Sequence, residues 1–178
     1  SGGGGESTAS VGTVGQPVPR PSSQYRTQRG GKLFQVSVPA NWTAVSSNNS
    51  VKYVPQNAYG DVQGTRVLTH GVELGVARAA SRNLQEATNA LVQSFVQGNQ
   101  GMRVGGSQRQ LRLSNRTAIG TPLVGRSVLG GNERVGLYTT FLADGNLFYY
   151  VTVVPEAEAD AYSTAFNRVA QSLRLNDR

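Results

Sequence analysis

His70 is the single histidine of this 178-residue chain, so the scope for acid–base chemistry is narrow. An imidazole titrates near neutral pH and acts as a general base when a nucleophile lies within hydrogen-bond reach. Asp61 and Glu73 are near it in sequence and could orient the ring. One histidine cannot build a His-x-x-x-His metal pair or a His-Glu-x-x-His peptidase helix. Cysteine is absent, which removes thiolate metal sites, disulfides and cysteine nucleophiles. No Gly-x-Ser-x-Gly elbow presents a serine. Glu156, Glu158 and Asp160 crowd the start of an expected helix, where the positive end of the dipole accounts for them. The remaining acids give no support for a glycosidase carboxylate pair. Gly101-Met-Arg-Val-Gly105-Gly106-Ser107 has the glycines of a phosphate loop but lacks Gly-Lys-Ser/Thr, and it reads as a plain loop. No catalytic or metal-ligating residue and no cofactor is therefore expected in this chain.

Binding is the alternative, and two sets of residues suggest where. Lys and Arg number 17 against 10 Asp and Glu, a formal net charge of +7 that favours anionic partners over cationic ones. The densest basic stretch is Arg103, Arg109, Arg112 and Arg116, with Arg126 following. If residues 109–113 form a strand, Arg109 shares a face with Leu111 and Leu113 while Arg112 lies on the other. The arginines then form no single stripe, and no aromatics are interleaved for base stacking, so nucleic acid is not an expected partner. Arg103 and Arg112 remain candidates for a partner surface. The second set is Trp42, Tyr53 and Tyr59, which could line a small pocket at the end of a sheet, with His70 nearby. The competing reading has Trp42 plugging the edge of the core.

These residues are carried by an α+β pattern. Residues 1–24 read as a flexible linker: Ser-Gly-Gly-Gly-Gly-Glu-Ser-Thr opens it, and Pro17, Pro19 and Pro21 stiffen its end. It is expected to tether the domain over 25–178 to something N-terminal. Short strands are expected over 33–38, 43–45 and 51–54, then a loop over 56–69 and a strand over 71–78. In that strand Val72, Leu74 and Val76 face inward against Glu73. Asn83 followed by Glu86 fits a capping box, and Leu84, Ala87, Leu91 and Phe95 recur at helical spacing up to Gly98. Strands follow over 109–113, 117–119 and 123–129. Arg134 to Val154 then forms two β-branched and aromatic runs around Asp144-Gly145, a pair that favours a type I′ hairpin turn. Both faces of the outgoing run are apolar, which marks a central strand covered on both sides. The last helix is expected from about Glu156 to Leu173, with an apolar stripe including Tyr162, Phe166 and Val169. No apolar run is long enough to span a membrane.

Phe34-x-Val36-x-Val38-Pro39-x-x-Trp42, together with Phe148 to Val154 and the helix through Ala165 to Arg174, resembles the PsbP/Mog1-like superfamily. The resemblance covers about residues 25–176 and implies a central antiparallel sheet flanked by helices, an α/β/α sandwich. Family members are mostly non-catalytic: extrinsic photosystem subunits, a Ran-binding protein, exported bacterial lipoproteins and accessory domains. The linker and fold are also similar to the C-terminal appendage of bacterial zinc metallopeptidases of the M48 type. This resemblance implies a non-catalytic, extracytoplasmic accessory domain whose partners are an upstream domain of the same polypeptide and other proteins or anionic surfaces. The alternative is a free-standing exported protein that binds an anionic partner or a small ligand. The shared motif consists of core positions, so it transfers no functional residue.

Overall fold

Residues 11–178 are described in a computed structural model. In chain order they form β1 (Tyr25–Gly30), β2 (Phe34–Pro39), β3 (Thr43–Ser46), β4 (Ser50–Val54), β5 (Tyr59–Val62), β6 (Thr65–Leu68) and β7 (Gly71–Ala77). Helix α1 (Leu84–Gly98) follows, then β8 (Arg103–Val104), β9 (Arg109–Leu113), β10 (Arg116–Arg126), β11 (Asn132–Phe141) and β12 (Leu147–Pro155). A short 3-10 turn, Glu156–Glu158, leads into α2 (Ala159–Ser172), and β13 (Arg174–Leu175) ends the order.

The main sheet runs β3-β4-β7-β12-β11-β10-β8, with β9 also paired to β10, and every pairing is antiparallel. β12 lies in its middle and is buried along its whole length, as its two apolar faces require. Phe148, Tyr150 and Val154 pack with Tyr162, Ala165 and Val169 of α2 and with the small β1-β2-β13 sheet. Tyr149, Val151 and Val153 pack on the opposite face with Val92, Leu91 and Phe95 of α1. The expected α+β architecture, a central antiparallel sheet with a helix on each face, is what forms.

Local sequence explains the element ends. Asn83 caps α1 by accepting from the Glu86 amide at 3.0 Å, while the Glu86 carboxylate turns to the Ser81 hydroxyl at 2.8 Å. The β11–β12 connection differs from the expected two-residue turn. Leu142 N–H bonds the Asn146 carbonyl at 2.8 Å, enclosing Ala143, Asp144 and Gly145, and of these Gly145 alone has a positive φ, 89°. A type I′ turn needs two left-handed residues; this three-residue loop needs one, which the glycine supplies.

Two further expectations are corrected. The loop expected over 56–69 contains the β5–β6 hairpin, turned by Gln63 (φ 52°) and Gly64 (φ 83°). The linker expected over 1–24 falls partly outside the described residues, and residues 11–24 lie against the domain. Val11 is fully buried with Val45, Val54, Ala58 and Tyr59. Asn57 holds this segment by donating to the Pro17 carbonyl at 2.7 Å and accepting from the Thr13 amide at 2.9 Å. Burial of Val11 and these bonds offset the ordering entropy that the glycine- and proline-rich composition suggested would dominate.

Candidate functional site

The aromatic residues singled out in the sequence do not meet in one pocket. Trp42 is fully buried beneath α2, its ring stacked on Tyr162 with centroids 6.4 Å apart and planes 22° from parallel. Its Nε1 has no hydrogen-bond partner among the described residues. Tyr53 is buried in the same cluster, whereas Tyr59 belongs to the cluster that receives Val11. Arg103 and Arg112 are exposed on β8 and β9, and the Arg112 guanidinium turns back to the Asn115 carbonyl.

His70 is buried, and each ring nitrogen has a partner. Nδ1 lies 2.8 Å from the Thr69 hydroxyl, and Nε2 lies 3.2 Å from both carboxylate oxygens of Glu158. In a neutral ring Nε2–H donates to the Glu158 carboxylate, and Nδ1 faces the Thr69 hydroxyl, whose single proton also has the Ala58 carbonyl as an acceptor at 3.2 Å. Burial holds its pKa below the ordinary value, and Glu158 only partly opposes this. Thr69 is itself buried and does not stand beside the imidazole as an accessible nucleophile. Asp61 is taken by Arg66 at 2.9 Å and Glu73 faces Lys52 at 3.9 Å, so neither orients the ring. The arrangement is a clasp between the start of β7 and the turn that enters α2.

The strongest site geometry lies on the α1 face. A cleft of about 400 Å³ opens between the end of α1, the loop leading to Met102, and the β5–β6 hairpin. Its floor is apolar, with Val135, Val151, Val153, Leu68, Phe95 and Met102. At one end Lys52 and Glu73 are register partners across β4 and β7. The Tyr149 hydroxyl donates to Glu73 at 3.4 Å, and burial, followed by the Glu73 charge, pushes that phenol up to about 12. Tyr59 lies between two cations, with Lys52 Nζ 5.3 Å and the Arg66 guanidinium carbon 5.9 Å from its ring centre.

At the other end is Glu133. Burial pushes its carboxyl up to about 7, and it has neither an ion pair nor a hydrogen bond among the described residues. Gly125 opposite makes room for it: a Cβ there would stand 3.3 Å from Glu133 Oε2 and 3.6 Å from the Met102 methyl. Arg126 lines the same end and is exposed. Apolar floor, charged rim and one uncompensated acid together make a binding site of the usual kind.

A larger trough of about 650 Å³ lies on the α2 face over Gly120, Gly136 and Tyr138, and within it Arg134 is compensated by Glu156 at 3.6 Å. Of the residues expected to form a ligand surface, Tyr59 is the one that lines the α1-side cleft; Lys52, Arg126 and Glu133, which also line it, were not singled out as site residues, and Glu73 was weighed only as a partner for His70. Among the described residues no three His, Cys, Asp or Glu side chains converge to hold a metal ion.

No family model matches the chain, and no curated protein matches it. Solved structures do. The Saccharomyces cerevisiae Ran-binding protein Mog1p superposes with a TM-score of 0.60 at 11% identity, over 88% of this chain and 97% of that one. Cyanobacterial PsbP from Synechocystis sp. PCC 6803 gives a TM-score of 0.55 at 12% identity, over 91% of this chain and 98% of that one. The chain has a Mog1- and PsbP-like fold. LpqN, involved in cell envelope biogenesis of Mycobacterium tuberculosis, gives a TM-score of 0.51 at 13% identity, over 86% of this chain and 91% of that one. Identities this low carry the fold and no site residue, so the cleft is argued from this chain alone.

Proposed function

We propose that this chain is a non-catalytic binding module that takes its ligand in the α1-side cleft. The observation that carries the reading is the cleft itself: an open apolar floor of Val135, Val151 and Val153 beside Glu133, an acid without a partner among the described residues. The clasped state of His70 supports it, because the one imidazole is spent on holding the fold. We further propose that the module is the C-terminal accessory domain of an exported bacterial metallopeptidase of the M48 type and works outside the cytoplasm. The sequence resemblance and the glycine-rich N-terminal segment support that placement, as does likeness of fold to an envelope-biogenesis protein. No helix among the described residues is long and apolar enough to cross a membrane.

Titrating the ¹⁵N-labelled chain with a pooled tripeptide library tests the binding reading. Amide shifts concentrated at Leu68, Met102, Val135 and Val151 are expected; a library that moves none of them overturns it. A His-Glu-x-x-His motif upstream in the same polypeptide supports the peptidase placement, and a parent polypeptide without one removes it.

A further inference from the structure

We infer that the cleft takes a ligand bearing a primary ammonium next to an aliphatic side chain, as at the free N-terminus of a peptide, with Glu133 receiving the ammonium and the valine floor the side chain. This rests on the reading of the cleft as the ligand site and names the chemistry of its occupant.

The argument starts from which charges in the cleft are already matched. Lys52 on β4 faces Glu73 on β7, and Arg66 on β6 pairs with Asp61 on β5. Outside the cleft, Arg134 on β11 pairs with Glu156 beyond β12. Glu133, between Gly125 on β10 and Pro155 on β12, has no such partner among the described residues. A half-buried carboxylate without a counter-charge is costly, and the protein here carries that cost in its unliganded state. A ligand ammonium would supply the missing counter-charge and at least one charge-assisted hydrogen bond. Arg126, which lines the cleft, brings positive charge to this end and selects against a simple dication. Arg126 suits instead a group that carries a carbonyl or carboxylate oxygen near its ammonium, as an amino-terminal residue does. Val135, Val151, Val153 and Met102 line the same cleft as Glu133 and offer the apolar contact.

The carboxyl is held at about 7, so its charge is gained as the pH rises through neutrality. Affinity for a permanently cationic probe should therefore climb over that range, while a neutral isostere stays level. Isopentylamine and isopentanol are such a pair.

The deciding experiment compares the peptide Leu-Ala-Ala-amide with its N-acetylated form by NMR titration at about pH 7.5, in the wild type and in Glu133→Gln. The free peptide should bind about tenfold more tightly than the acetylated one, the scale of one charge-assisted contact. Glu133→Gln should bring it down to the level of the acetylated peptide and leave the latter unchanged. Equal affinity of the two peptides for the wild-type cleft overturns ammonium recognition and leaves the cleft as a ligand site. A preference that survives Glu133→Gln removes Glu133 as the receiver. Failure of both peptides to move any cleft amide removes this inference, whereas the wider reading falls only with the tripeptide library.

Discussion

Replacing Glu133 by Gln should stabilise the protein above neutral pH and do little below about pH 4.5. Burial raises this carboxyl from 4.5 to about 7. Below the lower value the folded and unfolded chains both hold the proton, and the side chain makes no pH-dependent difference. Between the two values the unfolded chain ionises first and binds fewer protons than the folded one, so stability falls as pH rises. Above about 7 the penalty is complete. At about 1.4 kcal/mol per tenfold change, the full gap corresponds to about 3 kcal/mol. Glu133 keeps some contact with water, which screens its charge and reduces the expected gain to about 1–2 kcal/mol. Gln keeps the shape and removes the charge. Urea unfolding followed by the fluorescence of Trp42, whose buried stack on Tyr162 is lost on unfolding, measures both proteins at about pH 4, 6 and 8.5. A gap between variant and wild type that widens with pH is expected. A gap independent of pH, or one in which the wild type gains on the variant toward alkaline pH, refutes the placement of Glu133.

The other buried groups give independent checks. In the Glu133→Gln background, stability should fall as pH drops below about 6.5, because the unfolded chain takes a proton that buried His70 resists; replacing His70 by Gln should flatten that slope in the same urea series. The Arg116 guanidinium holds the Asp177 carboxyl well below the usual range, and the pair ties the C-terminus to the Ala143 amide. Asp177→Asn should cost about 1–2 kcal/mol at neutral pH. That contribution is present above the ordinary carboxyl value and lost as acid protonates Asp177, which thermal melts at about pH 7 and pH 2 will read. Trp42→Ala should cost about 3–5 kcal/mol by opening a cavity. Trp42→Phe should cost only about 1 kcal/mol, because it also removes an indole N–H that has no partner; near-equal losses in urea melts would count against that account.

Much of the fold could be read along the chain because its cues are local. The alternation of Leu147 to Val154 predicted a central strand, Asn83 and Glu86 predicted where α1 starts, and the stripe through Tyr162 and Val169 predicted a helix that packs on the sheet. The β5–β6 hairpin carries a fainter cue, because its strands are short and Gln63-Gly64 lacks the Asn or Asp usual in such turns. Val11 and Val18 were hidden by a composition dominated by glycine, serine and proline. The cleft was illegible for a different reason. Lys52, Glu73, Arg126 and Glu133 come from four strands, and only their register places them around one cleft. Glu73 could be assigned to the face opposite Val72 and Leu74 by alternation, but nothing local names Lys52 as its neighbour. Glu133, just after Gly130-Gly131-Asn132, resembles an ordinary turn acid until the strands on either side are known.

The seam between β7 and β12 joins residues far apart in the sequence: Gly71 pairs with Val153, and everything from Arg78 to Asn146 is formed between them. β9 to β12 can assemble as a meander from neighbours in sequence, whereas closing the seam requires bringing the ends of that long segment together. Such late, non-local pairing slows folding. Glu73 and Lys52 stand on one side of the seam and Val151, Val153 and Glu133 on the other. A chain that has built its meander but not yet docked β7 therefore has half a cleft. Ligand binding should accordingly appear with the slowest refolding phase, and should protect the seam amides of Tyr150 to Val153 from hydrogen exchange as strongly as any in the molecule.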